Sequence, residues 1–214
     1  AETGLWIGRP VEWPGSRPLV LEPALGPDFG GLSEWPVAHV VKVLCFYHPD
    51  DSAEMKADQE ATVRRLFHAA RRNRLEFLLE VIPSKVGPVT DETTAQVIRR
   101  FYEVGVFPDW WKLEPMQSDA AWQAACDAIT ENDPHTRGIV VLGLGGSEKS
   151  LAASFASAAR FDLVKGFAVG RTIFADAATG FMAGSTSAED AVMQMANTYT
   201  RLCTLWDAAR ANKG

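Results

Sequence analysis

The stretch VVKVLCFY, residues 40–47, decides the fold class, because a β-branched and aromatic run gives way there to a helical pattern. Valine, phenylalanine and tyrosine favour strands. Residues 52–73 then predict a long helix with Ser52 as its N-cap. The same order of strand and helix recurs to the end of the chain, which favours βαβ units and a parallel sheet.

Further strand and helix signals follow at similar spacing. Asp91 is predicted to cap one helix and Gly105 to end it. The predicted strands are residues 76–82, 109–115, 138–144 and 163–169. The predicted helices are residues 91–105, 118–131 and 147–160, a segment from about residue 172, and residues 187–211.

The first forty residues differ from the rest, since they are rich in proline and glycine. Residues 5–9 predict a sixth strand, and residues 19–22 are a weaker candidate. Right-handed βαβ units build either a (β/α)8 barrel or an open doubly wound sheet. No GxGxxG follows the first strand and no GxxxxGK[ST] occurs, so the nucleotide-binding loops of open sheets are missing.

The composition excludes several classes of function. The 214 residues fit one domain, residues 1–214, and a net charge of −6 lacks the basic surface that nucleic acids require. Three widely spaced cysteines, Cys45, Cys126 and Cys203, favour a reducing, cytoplasmic compartment over a disulfide framework. No apolar run is long enough to span a membrane, so we expect no membrane partner.

Ionisable residues interrupt three successive strands. Because side chains alternate along a strand, Lys42, Glu80 and Lys112 each share a face with apolar residues, and Glu114 lies on the face of Lys112. The last three lie near the C-terminal ends of their strands, where barrels place active sites. A single ionisable residue in a strand belongs to a structural ion pair about as often as to a functional site. Three together favour a site, because buried charges are costly unless they neutralise one another or serve chemistry.

Two lysines and a glutamate are the residues that a Schiff-base aldolase needs. A lysine amine attacks a ketone only when it is deprotonated, so its pKa must fall from about 10.4. An apolar wall, here Trp110 and Trp111, and a second positive charge, here Lys42, would both lower it. A carboxylate such as Glu80 would then move protons as general acid and base.

Two loops follow the last two predicted strands. In barrels, backbone amides of these loops commonly bind phosphate, although glycines at such turns often serve the turn alone. Arg171 adds a guanidinium that suits an anion. The residues predicted to bind phosphate are Gly143, Gly145, Gly146, Gly170 and Arg171.

Five segments carry a resemblance to a known family: VKVLCFYHPDD, EFLLEVIPSK, PDWWKLEP, IVVLGL and VKGFAVGRTIFADAA. They resemble the aldolase-like C-terminal domain of the bacterial bifunctional 5-dehydro-2-deoxygluconokinase of inositol catabolism, which is similar to class I tagatose-1,6-bisphosphate aldolases. The resemblance implies a TIM (β/α)8 barrel that lacks its first two βα units in this chain. It also implies that the chain is a fragment or that another chain or domain completes the barrel.

The resemblance assigns roles to individual residues. Lys112 falls on the Schiff-base lysine, Glu80 on the catalytic glutamate and Lys42 on a further site lysine, while Arg171 and the glycine loops fall on phosphate-binding positions. The implied reaction cleaves 6-phospho-5-dehydro-2-deoxygluconate to dihydroxyacetone phosphate and malonate semialdehyde without a metal or other cofactor. Glu114 is placed with the substrate-binding residues, and it is left open whether it is catalytic or only holds Lys112.

Other functions remain open at this point. A metal-dependent, class II aldolase would need ligands such as His48, Asp50 and Asp51, which lie at one strand end. A non-catalytic barrel that binds a sugar phosphate and regulates a 5-dehydro-2-deoxygluconokinase is the second alternative. The implied partners are a sugar-phosphate substrate and a fused or associated sugar-kinase domain, and a homo-oligomer is left open.

Overall fold

Six parallel strands form a single sheet in the computed structural model, which describes residues 4–116 and 118–212. The strands lie in the sheet in the order in which they occur in the chain, with β1 and β6 at the edges. Their bounds are β1 Ile7–Pro10, β2 His39–Cys45, β3 Glu76–Val81, β4 Trp110–Leu113, β5 Gly138–Leu142 and β6 Val164–Ala168.

Six α-helices accompany the strands, and α1 to α5 each follow one strand from β2 onward. Parallel neighbours joined by helices are the βαβ pattern that the sequence predicts. Short 3₁₀ helices lie at Pro23–Leu25, Gly30–Glu34 and Pro83–Lys85. The α-helices are α1 Ala53–Arg72, α2 Thr93–Glu103, α3 Asp119–Asn132, α4 Glu148–Ala158, α5 Arg171–Met182 and α6 Ala188–Ala211.

The two faces of the sheet differ sharply. One face is fully buried and belongs to the main core with the helices; its residues include Val41, Val43, Phe77, Leu79, Trp111, Leu113, Ile139 and Val141. The other face is concave, because residues of β2 to β6 line one shared cavity. The sheet is therefore a curled half-barrel, and the expected α/β barrel class is confirmed at this level.

Serine side chains start four of the helices. Ser52, Ser118, Ser147 and Ser187 each accept a hydrogen bond from a backbone N–H in the first turn of the helix that follows. Such caps satisfy N–H groups that have no partner inside the helix. The predicted cap at Asp91 is wrong, since α2 begins at Thr93 and has no side-chain cap.

Residues 11–22 fold over the end of β1 instead of forming a further strand. The weaker prediction at residues 19–22 is wrong, because the only pairing there is an isolated antiparallel bridge between Glu12 and Leu21. Arg17 fixes this segment to the rim, since it donates to the carbonyl of Phe46 and forms an ion pair with Asp51. The segment thus covers the C-terminal end of the sheet beside β2.

The helix-facing layer should carry most of the stability. Leu79→Ala is expected to lower the free energy of unfolding by about 2–5 kcal/mol, because Leu79 is fully buried and its loss leaves a cavity. Leu44→Ala, on the concave face where the residue lines the open cavity, should cost less. Urea unfolding of both variants measures the difference, and equal losses would contradict the assignment of the two faces.

Candidate active site

Three charged side chains from neighbouring strands meet on the concave face. Glu80 and Lys112 are direct register partners on β3 and β4, and Lys112 Nζ lies 3.0 Å from Glu80 Oε1. Lys42 of β2 approaches the same carboxylate from the other side, with its Nζ 2.6 Å from Glu80 Oε2. The glutamate is therefore shared by two lysines whose side chains are only 16% and 17% exposed.

Glu12 joins this group, although the sequence analysis did not identify it. Its Oε1 lies 2.5 Å from Lys42 Nζ, and its side chain is 10% exposed. The signal that would have found it is parity, since Gly8, Pro10 and Glu12 alternate along and just beyond β1. A glutamate at that spacing points to the face that carries Lys42.

The charges of the group shift the pKa of Lys42. Burial lowers this pKa, but the negative charges of Glu80 and Glu12 and their hydrogen bonds raise it more, so the pKa lies above its ordinary value. Lys42 is accordingly a cation in the folded protein. Its charge is shared between two carboxylates.

An open cavity of about 360 Å³ lies at the C-terminal edge of the strands, beside Glu80 and Lys112. Two further cationic residues line it, Lys85 and Arg171, and neither forms an ion pair with any residue that the structure describes. The apolar part of the lining includes Leu44, Phe46, Ile82, Leu142 and Phe174. The cavity thus presents an amine, a carboxylate and two unpaired cations to a bound molecule.

Glu114 does not contact Lys112 as an ion pair. It lies just beyond β4, is buried, and accepts hydrogen bonds from the backbone N–H of Ser84, at 3.0 Å, and from the Ser84 hydroxyl. It lines a second, smaller cavity. The partner that holds Lys112 is therefore Glu80 and not Glu114.

The two tryptophans of β4 lie on opposite faces. Trp111 is fully buried among the helices, and its indole Nε1 donates to the Tyr102 hydroxyl at 3.0 Å. Trp110 lies on the concave face, where it packs with Val40. The prediction that both tryptophans wall the lysine is wrong for Trp111, because successive side chains of a strand point to opposite faces.

The predicted glycine loop forms a tight turn after β5. The Gly146 N–H donates to the Gly143 carbonyl at 2.8 Å, and Gly145 has a φ of +72°, where a side chain would be strained. A Cβ at Gly146 would lie 2.6 Å from Ser150 Oγ. These contacts explain why small residues occupy the turn between β5 and α4.

The second predicted loop lies against this turn. The Thr172 hydroxyl donates to the Gly146 carbonyl at 2.8 Å, and the Arg171 guanidinium lies beside Gly145. Gly170 is the N-cap position of α5 and has no side chain that could satisfy the first N–H groups of the helix. Gly143, Gly145, Gly170 and Arg171 line the cavity next to Lys112, whereas Gly146 lines an adjoining groove.

The histidines do not form a metal site in the described part of the chain. No group of three or more His, Cys, Asp or Glu side chains there is arranged to hold an ion. His48 is buried, with its Nδ1 accepting from the Asp50 backbone N–H and its Nε2 3.0 Å from the Pro88 carbonyl. These contacts tie the loop after β2 to the loop after β3.

The fold and the charged group on its concave face define a protein of the (β/α)-barrel class. Residues 1–210 match the family described as "Uncharacterized protein conserved in bacteria (DUF2090)", and the chain belongs to that family. No curated protein matches the chain. No helix among the described residues is both long and apolar enough to cross a membrane.

Solved structures with a similar fold include a fructose-bisphosphate aldolase from Plasmodium falciparum, in complex with TRAP and a small-molecule inhibitor. The TM-score is 0.65 and the sequence identity is 14%, over 97% of this chain and 69% of that chain. At this identity the likeness concerns the fold. The six strands of this chain are therefore arranged as in a (β/α) barrel.

The raised pKa of Lys42 makes a prediction about stability and pH. A lysine whose pKa is higher in the folded protein stabilises it fully below the unfolded pKa of about 10.5, and this contribution is lost as pH rises through the folded pKa. The difference in unfolding free energy between the natural chain and Lys42→Met should therefore stay constant up to about pH 10 and narrow as the pH rises above about 10.5.

Urea unfolding at several pH values measures this narrowing. Lys165→Met is the matched control, since Lys165 is exposed on β6 and belongs to none of the site's ion pairs. A free-energy difference for Lys42→Met that stays constant with pH would show that Lys42 has no raised pKa.

Proposed function

We propose that this chain is a Schiff-base (class I) aldolase for a phosphorylated keto sugar, with Lys112 as the nucleophile. The observation that carries the proposal is the contact of Lys112 Nζ with Glu80 Oε1, 3.0 Å apart beside a cavity of about 360 Å³. A buried amine within reach of a carboxylate base and an open pocket has the geometry required for attack on a carbonyl.

Glu80 is suited to move each proton of the reaction. It accepts a proton from the Lys112 ammonium, which frees the amine to attack the substrate ketone and form a carbinolamine. The same carboxyl group then returns a proton to the carbinolamine hydroxyl, which leaves as water and yields the iminium. Its ionised form next accepts the proton of the substrate hydroxyl as the carbon–carbon bond breaks.

Arg171 and the two glycine turns supply an anion site at one end of the cavity. Arg171 has no carboxylate partner within ion-pair distance among the described residues, and it lies beside the backbone of Gly145. The first N–H groups of α5 start at Gly170 and attract negative charge. These features support binding of the substrate phosphate there.

The substrate that fits the resemblance is 6-phospho-5-dehydro-2-deoxygluconate. In this proposal Lys112 condenses with the C5 ketone, and cleavage of the C3–C4 bond gives malonate semialdehyde and the enamine of dihydroxyacetone phosphate. Protonation and hydrolysis of that enamine release dihydroxyacetone phosphate and restore the lysine. The reaction places the chain in inositol catabolism, beside or fused to a sugar-kinase domain.

The first test traps the covalent intermediate. Borohydride added with dihydroxyacetone phosphate should reduce the iminium and leave a stable adduct on the peptide that contains Lys112, detected by mass mapping. Lys112→Met should abolish the adduct, because methionine has no amine.

Lys165→Met, which removes an exposed lysine elsewhere on the half-barrel, should trap like the natural chain. Undiminished trapping in Lys112→Met would show that another lysine is the nucleophile. An absence of any adduct on the full-length natural protein would refute the Schiff-base mechanism.

A second prediction concerns Glu80. Glu80→Gln keeps the size of the side chain but removes its ability to accept a proton, so turnover should fall by about 100-fold or more while KM changes little. Glu76→Gln is the matched control, because Glu76 lies at the start of the same strand and pairs with Arg137. Equal effects of the two substitutions on steady-state cleavage would exclude Glu80 as the acid and base.

A further inference from the structure

Glu12 is held at the site by contacts on both sides of its position. The neighbouring Val11 N–H donates to the Lys42 carbonyl at 3.1 Å, and Glu12 itself bridges to Leu21. Five residues further on, Arg17 donates to the carbonyl of Phe46 and pairs with Asp51. The Glu12 carboxylate is therefore fixed against Lys42 by the backbone of β2 and by the rim.

The four charged side chains of the site alternate in sign across the segment after β1 and the strands β2, β3 and β4. From the β1 end they run Glu12, Lys42, Glu80 and Lys112, with Nζ to O distances of 2.5, 2.6 and 3.0 Å. Two positive and two negative charges make the group neutral as a whole. No other residue in the described part of the chain forms an ion pair with these four.

Without Glu12, the balance of positive and negative charge around Glu80 would change. Glu80 would then face two ammonium groups as the only carboxylate, and two positive neighbours oppose protonation of a carboxylate. Glu80 could then accept the Lys112 proton only with difficulty. The neutral group in the structure avoids this, because Lys42 has a carboxylate of its own.

We propose that Glu12 is a positioning residue that holds the Lys42 ammonium group and offsets its positive charge, which leaves Glu80 able to exchange protons with Lys112. This inference rests on the proposed aldolase function where it concerns Lys112. The part that concerns Lys42 stands on the contacts of Glu12 alone. Glu12 forms no ion pair with Lys112 among the described contacts and does not line the cavity, so it acts through Lys42.

Competitive acetylation tests the part that concerns Lys42. Acetic anhydride reacts with neutral amines, and mass mapping reports the extent at each lysine across a range of pH. Glu12→Gln removes a negative charge beside Lys42, so acetylation of Lys42 at about pH 9 should rise about tenfold, as for a fall of one pKa unit. Glu12→Asp, which keeps the charge, should stay close to the natural chain.

Glu22→Gln is the matched control, because Glu22 lies on the same segment and its carboxylate forms no ion pair with Lys42 or with any other residue that the structure describes. It should leave Lys42 as unreactive as before. Equal acetylation of Lys42 in the natural chain, Glu12→Gln and Glu22→Gln would overturn the inference.

Trapping with dihydroxyacetone phosphate and borohydride tests the link to Lys112. Glu12→Gln should slow adduct formation about tenfold, and the double variant with Lys42→Met should be no slower than Lys42→Met alone, because Glu12 acts through the charge of Lys42. If the double variant forms the adduct more slowly than Lys42→Met alone, Glu12 does not act through Lys42. A natural chain that forms no adduct refutes the aldolase proposal, whereas the acetylation result still decides the role of Glu12.

Discussion

The shared carboxylate of Glu80 is the interaction on which the concave face depends. A buried glutamate between two lysines costs desolvation energy that well-packed apolar residues would not incur. It also requires a fixed register, since Glu80 must lie opposite Lys112 and within reach of Lys42. Stability is supplied elsewhere, by the apolar layer between the sheet and the helices. The ionic group is therefore better explained by chemistry than by folding.

The order of strands and helices was predictable because both kinds of element leave strong patterns in the sequence. β-branched runs and serine caps define where elements begin, and all six strands lie where the sequence predicts them. The boundaries of β4 were less predictable. The sequence predicts a strand of seven residues from Asp109, but β4 has only four. The reason is that the side chains at both ends bond elsewhere: Asp109 accepts a hydrogen bond from the Phe77 N–H, and Glu114 accepts one from the Ser84 N–H. Contacts of this kind, between a side chain and a backbone group far away in the chain, leave no pattern in the local sequence.

The charged residues of the site were predictable in part, because the alternation of side chains along a strand also leaves a pattern in the sequence. Lys42, Glu80 and Lys112 interrupt apolar strands, and alternation places all three on one face. Glu12 was missed because it lies beyond the four-residue strand β1, in a segment rich in proline for which no strand is predicted, although the alternation of β1 does extend to it. Trp111 shows the opposite error. Composition suggested a wall around the lysine, but strand parity puts this indole among the helices.

The partners of two carboxylates, Glu80 on β3 and Glu114 just after β4, determine the surroundings of Lys112. Glu114 is occupied by two donors from Ser84, so it does not compete for the lysine. Lys112 then has one carboxylate partner, and that partner also touches Lys42. An amine held by one base can lose its proton to that base and regain it in a later step. A second buried carboxylate at Lys112 would have stabilised the ammonium form and opposed nucleophilic attack. The hydrogen bonds of Ser84 thus keep Glu114 away from Lys112, although Ser84 forms no contact with Lys112 that the structure describes, and the proposed mechanism requires this separation.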